Sequence, residues 1–163
     1  MTITTEKIWE VLESVCDPEI PVLTVTDLGI IRDVKIHPDH SVEVIITPTY
    51  SGCPAMNTIE VNIRSVLQEQ GVDPVKVTTI LSPAWTTDWM SEAGRAKLKA
   101  YGIAPPVGNS MDKSDLFPED KIVECPQCGS EDTKMISQFG STACKSMYKC
   151  NNCLEPFDYF KCH

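Results

Sequence analysis

Two kinds of thiol in this sequence have the spacing or the setting to do chemistry. The first kind lies in the tail. Cys125-Pro126-Gln127-Cys128-Gly129 and Cys150-Asn151-Asn152-Cys153 are two CxxC knuckles with 21 residues between them. Knuckles set across a short β-hairpin bring four thiolates into a tetrahedron, the arrangement of a zinc ribbon. Gly129 lets the backbone turn tightly around the metal. Ligation supplies folding free energy that a module of about 40 residues does not obtain from a core of its own. Zinc is favoured over an iron–sulfur cluster at this spacing, and a closed four-thiolate site is structural, not catalytic.

The second kind is Cys53, in Thr49-Tyr50-Ser51-Gly52-Cys53-Pro54-Ala55-Met56. The stretch leaves a strand pattern and opens a helix pattern. Cys53 is expected at the N-cap, with Pro54 at the first helical position, where a missing N–H is tolerated. Unpaired N–H groups and the helix dipole favour a thiolate there. Two readings stand side by side at this level: a reactive thiol or transient metal ligand, and an inert cysteine packing the strand–helix junction.

Other groups are placed for chemistry less pointedly. Asp17-Pro18-Glu19 sets two carboxylates on a stiffened loop, and Asp27 adds a third in the next turn; loop acids commonly cap backbone N–H groups instead. Gly140-Ser141-Thr142-Ala143-Cys144-Lys145 presents a thiol beside a lysine. Cys144 and Cys162, with His163 beside the latter, are carried as a candidate second thiolate site, with packing or surface roles as the alternative. His37 and His40 flank a hairpin tip and are read as solvated turn residues.

The elements that position these groups follow from periodicity. Residues 5–15 read as a helix with Ile8, Val11, Leu12 and Val15 on one face and Thr4-Thr5 as its cap. Residues 30–37 and 42–48 read as a hairpin, 54–70 as a helix ended by Gly71, and 75–81 as a third strand. Thr86 or Thr87 caps a helix to about Tyr101. Trp85 and Trp89 are read as packing that helix on the sheet, with shielding of a reactive site as the alternative. The expected fold is α+β: a small three-stranded mixed sheet with helices packed on it, then a zinc-ribbon module whose strands include 133–138 and 147–149. The domain boundaries are 1–104, a Pro/Gly-rich linker over 105–121, and 122–163.

Composition excludes several classes. Apolar content of 42% with 23% charged residues is that of a globular chain without membrane spans. Residues 1–120 hold 18 acidic and 9 basic residues and residues 121–163 hold 5 of each, so nothing resembles a nucleic-acid footprint. Six of the eight cysteines lie after Asp120, which argues for metal chemistry over a disulfide framework. With no secretory signal pattern at the start, a cytoplasmic location is expected. No catalytic triad, acid–base pair or phosphate loop is visible, so the chain is not read as an enzyme by itself.

Asp17-Pro18-Glu19, Asp27-Leu28-Gly29-Ile30 and Thr49…Cys53-Pro54 together resemble the SufT-like metal–sulfur cluster assembly factors. With Trp85, Trp89, the ribbon, and the ending Glu155-Pro156-Phe157-Asp158-Tyr159-Phe160-Lys161-Cys162-His163, the full length resembles the PaaD family of phenylacetate-degradation accessory proteins. The resemblance implies a functional set of Asp17, Glu19, Asp27, Thr49 and Cys53. It also implies a role in building or inserting iron–sulfur clusters, with a transient or labile cluster as cargo. The implied partners are the assembly machinery and the phenylacetyl-CoA ring-epoxidising oxygenase, above all its iron–sulfur reductase. The alternative is an integral non-catalytic or electron-transfer subunit of that epoxidase. Homo-oligomerisation is left open.

Overall fold

A computed structural model describes residues 3–108 and 121–161. These form two compact units, 3–85 with 89–91, and 86–88 with 92–108 and 121–161.

In the first unit, α1 (Thr5–Leu12) is capped by Thr4, whose side chain accepts from the Lys7 N–H. It ends three residues before the sequence pattern does. The Val15 carbonyl takes the Val25 N–H at 2.8 Å instead of a helical donor, and Pro18 disfavours continuation. Strands β1 (Ile31–Ile36) and β2 (Val42–Ile46) pair antiparallel, with the chain in the left-handed region at His40 in the turn. Helix α2 (Ala55–Glu69) crosses over to β3 (Val75–Thr79), which pairs parallel with β2. The sheet order is β1-β2-β3, a mixed sheet as expected. Alternate residues Val42, Val44 and Ile46 share a fully buried core with Ile8, Leu12, Ile59, Ile63 and Leu67. Burying each such side chain contributes about 1.5–3 kcal/mol. The third strand stops at Thr79, and Leu81 is 62% exposed.

The second unit holds α3 (Glu92–Tyr101) and a four-stranded sheet in the order β4-β7-β6-β5: β4 (Ile103–Ala104), β7 (Pro156–Phe160), β6 (Lys145–Cys150) and β5 (Thr133–Ser137). The last helix was expected from Thr86 or Thr87. Thr87–Trp89 is instead a separate 3₁₀ turn, and the Ser91 N–H is taken by the Asp27 carbonyl at 2.8 Å. The expected boundary at 104 gives way because β4 pairs parallel with β7, so α3 and β4 lie in the same unit as the ribbon. Residues 105–108 are likewise anchored in this unit: Arg95 donates to the Pro106 carbonyl at 2.9 Å and the Val107 N–H donates to the Tyr159 hydroxyl at 3.1 Å. Most of the expected linker, 109–120, lies outside the described residues. The unit's core is Ala104, Val123, Tyr148, Phe157 and Tyr159 around Cys125 and Cys150.

Candidate functional site

Cys53 lies in the loop from β2 to α2. The helix begins at Ala55, one residue later than expected, although Pro54 is already helical in backbone angles. The Cys53 carbonyl accepts from the Met56 N–H at 3.2 Å, and its own N–H donates to the Tyr50 carbonyl at 3.3 Å. No side chain caps the helix. The thiol is half-buried, is in no disulfide, and makes no hydrogen bond among the described residues. Gly52 precedes it at φ +80, with open space where a Cβ would stand. The left-handed backbone there suits glycine and leaves the thiol uncrowded from that side.

Asp17 and Asp27 are buried, and their carboxylates build loops. Asp17 Oδ1 accepts from the Glu19 N–H at 2.7 Å and the Ile20 N–H at 2.9 Å, a turn that holds Glu19 half-exposed. Asp27 Oδ2 accepts from the Thr24 N–H at 3.2 Å and its Oδ1 from the Ser91 hydroxyl at 3.0 Å. A bridge between Cys16 and Thr24, and the Asp17 N–H to the Leu23 carbonyl, fold residues 16–27 into one loop. The Thr47 N–H donates to the Ile30 carbonyl at 2.9 Å, which ties that loop to the end of β2, where the Cys53 loop starts. In a β–α–β crossover, the carboxyl end of the strand is where ligands are met. Thr49 is half-buried in the same connection.

In the tail, the sulfurs of Cys125, Cys128, Cys150 and Cys153 all lie within 4.8 Å of one another. Cys125 and Cys153 are 3.7 Å apart, and Cys128 and Cys150 are 3.6 Å apart. A zinc ion about 2.3 Å from each of four sulfurs requires them to be about 3.8 Å apart, so this donor set fits zinc. Gly129 turns the first knuckle at φ +75, and its N–H donates to the Cys125 carbonyl. The Cys153 N–H points to Cys150 Sγ at 3.4 Å, and Asn152 Nδ2 to Cys128 Sγ at 3.8 Å. In the metal-free set, the Ser130 backbone N–H, the Asn152 amide and neighbouring thiols hold Cys128 down to about 6. The Glu155 backbone N–H acts to lower Cys153, but burial and its three thiol neighbours outweigh it and push that thiol up to about 12. One thiolate is thus favoured and a second suppressed, until a cation replaces the protons.

Of the candidate second thiolate site, Cys144 alone lies among the described residues. Cys144 is 5% exposed, not presented to solvent, with its sulfur 3.0 Å from the Thr142 hydroxyl. The adjacent Lys145 reaches Ser141 instead, at 3.4 Å, and burial lowers the pKa of Lys161 against the opposing effect of Cys144. Cys162 and His163 lie outside the described residues. Cys53 and Cys144 belong to different units. At the hairpin tip, His37 lies 3.6 Å from Glu43.

Sequence reasoning missed the residues that hold the Asp27 turn. Trp85 Nε1 donates to the Leu28 carbonyl at 2.7 Å, Trp89 packs on Gly29, and Ser91 bonds Asp27. An indole N–H needing a partner was a signal for the first of these; nothing local signals the last. Among the described residues, no helix is long and apolar enough to cross a membrane.

An α+β domain with a half-exposed thiol on a crossover loop, joined to a four-thiol ribbon, is the architecture of an iron–sulfur assembly domain fused to a zinc ribbon. Residues 5–81 match the family described as iron-sulfur cluster assembly protein, and residues 109–161 match the PaaD zinc beta ribbon domain. The chain is 51% identical to an Escherichia coli protein named as a 1,2-phenylacetyl-CoA epoxidase subunit, across 96% of this chain and 92% of that one. It is 40% identical to an Fe-S protein maturation auxiliary factor of Porphyromonas gingivalis, across 58% of this chain and 90% of the other. A crystal structure of a domain of unknown function, DUF59, from Bacillus anthracis superposes with TM-score 0.54 at 27% identity, covering 57% of this chain and 89% of that one. The chain belongs to the PaaD family.

Proposed function

We propose that this chain is a non-catalytic carrier or scaffold for iron–sulfur cluster assembly, serving the iron–sulfur reductase of a phenylacetyl-CoA ring-epoxidising oxygenase. The observation that carries the reading is the Cys53 thiol, half-exposed and without a hydrogen-bond partner among the described residues, on the crossover loop of a domain matching the assembly family. A carrier must bind iron–sulfur species and release them, so it needs few protein thiolates, and those within reach of a donor and a client. Cys53 supplies the sulfur ligand. Glu19, half-exposed on the Asp17 turn, is the second group proposed to face the cargo, and Thr49 lines the connection leading to it. Asp17 and Asp27 act through the loops they hold.

Zinc in the ribbon would be held by Cys125, Cys128, Cys150 and Cys153 and would supply structure, not exchange. Its four sulfurs are turned inward on one another, whereas among the described residues Cys53 belongs to no such cluster. Cys144, buried against Thr142, is given a packing role.

The name of the Escherichia coli relative favours a second reading, an integral subunit of the epoxidase. The two separate in an assay of the oxygenase and reductase matured with and without this chain. The carrier reading expects low turnover of components matured without it, not corrected by adding the chain afterwards. Rescue by late addition supports the subunit reading and overturns the carrier.

A further inference from the structure

The segment from Trp85 to Ser91 contributes four residues to the first unit, Trp85 and Trp89–Ser91. Between them they touch every residue of the Asp27-Leu28-Gly29 turn. Trp85, itself buried, donates its indole N–H to the Leu28 carbonyl at 2.7 Å. At Gly29, φ is +71, and an added Cβ would stand 2.4 Å from the Trp89 carbonyl oxygen and 2.8 Å from its Cβ. The Trp89 backbone therefore rests directly on the glycine. The register of β1 against β2 shifts at Arg32, a bulge whose guanidinium lies 3.5 Å from the centre of the Trp89 ring. Bulges re-aim side chains in this way, and the cation fixes the indole's face. Ser91 then grips Asp27 twice, its N–H to the Asp27 carbonyl at 2.8 Å and its hydroxyl to Oδ1 at 3.0 Å.

Within the loop, the Asp27 N–H donates to Thr24 Oγ1 at 3.0 Å. Leu28, Gly29 and Ile30 each donate backward along the loop at 3.1 Å. Ser91 adds two bonds from outside the loop, one of them to the carboxylate, and bonds to a charged group are the stronger kind, so this contact bears on how firmly the turn is fixed. The turn passes directly into Ile30, whose carbonyl receives the Thr47 N–H at the head of the Cys53 loop.

We propose that Ser91 and Trp89 are positioning residues for the Cys53 site, acting through the Asp27-Leu28-Gly29 turn. They make no contact with cargo. The inference rests on the carrier reading and adds to it a segment beyond residues 5–81, the part matching the assembly family.

The test compares wild type, Ser91→Ala, Ser91→Thr and Cys53→Ser as full-length, zinc-loaded protein. Amide exchange at Leu28 and Gly29 reports the turn. Anaerobic loading with iron and sulfide, followed by chelator challenge, reports cargo release. For Ser91→Ala the expected result is about tenfold faster exchange at those two amides, with α2 amides and zinc content unchanged. Cargo release should accelerate about tenfold as well, and Ser91→Thr, which keeps the hydroxyl, should restore both. Cargo that loads on wild type, is lost in Cys53→Ser and is released normally by Ser91→Ala overturns this proposal alone, whatever the exchange rates. Wild type that takes no cargo, or Cys53→Ser that takes as much as wild type, overturns the carrier reading and the positioning role with it.

Discussion

Removing zinc from the ribbon should unfold the second unit and leave the first intact. The four sulfurs already stand within 4.8 Å of one another, and two of them, Cys125 and Cys150, are fully buried in one cluster with Ala104, Val123, Tyr148, Phe157 and Tyr159. Stripping the metal therefore opens the middle of the core, not its edge. Structural zinc sites of this kind contribute about 10–16 kcal/mol at neutral pH. Whole domains are stable by about 5–15 kcal/mol, so the loss matches or exceeds everything that holds such a unit folded. A zinc chelator, or Cys150→Ser, should collapse the near-ultraviolet circular dichroism of the Tyr148, Phe157 and Tyr159 cluster, whose rings lie 5.6–5.8 Å apart. Amide protection should vanish from Lys145–Cys150 and from the strand after Pro156, at Phe157, Asp158, Tyr159 and Phe160, and persist in α2. Because ligands must be deprotonated to bind, the chelator concentration needed should fall as the pH is lowered. A metal-free protein with an unchanged aromatic spectrum and protected β6 and β7 amides would refute the reasoning.

Two further predictions concern the first unit. Gly29→Ala combines a left-handed backbone with a Cβ only 2.4 Å from the Trp89 carbonyl oxygen, and should cost about 2–4 kcal/mol in urea unfolding; a loss below 1 kcal/mol would mean that Trp89 does not rest there. Glu43 is held below its ordinary value of 4.5, first by the Thr78 hydroxyl and then by Lys76, against the opposing effect of burial. A lowered folded value contributes stability above the ordinary carboxylate range and loses it as the pH falls through the folded value. Glu43→Gln should therefore show a deficit at neutral pH that closes below about pH 4.5 in denaturant titrations, and a deficit independent of pH would contradict this.

Much of the scaffold was legible because its signals are local. Apolar periodicity gave α1, α2 and the β1–β2 hairpin, and the knuckle spacing gave the four-thiol cluster, since two CxxC pairs across a hairpin bring four thiolates together. What was not legible depends on distant partners. β4 is two residues long and exists only because β7 accepts it, and β7 follows a knuckle whose exit needs Leu154 at φ 67. Asp27 read as a third loop acid whose partners were not specified, and its oxygens face Thr24 and a serine 64 residues away. Cys144 read as a presented thiol beside Lys145, whereas the loop packs its sulfur inward and turns that lysine to Ser141. Residue type announced the chemistry in each case, and packing decided which of it was accessible.

The central claim is that Cys53, and not the ribbon, handles cargo. The most direct measurement is the iron and sulfide content and visible spectrum of Cys53→Ser and wild type, loaded anaerobically with zinc in place, followed by transfer to the metal-free reductase. One zinc per chain and the same cooperative unfolding are expected in both proteins, with iron–sulfur loading and transfer only in wild type. A Cys53→Ser variant that loads and transfers as wild type does would contradict it.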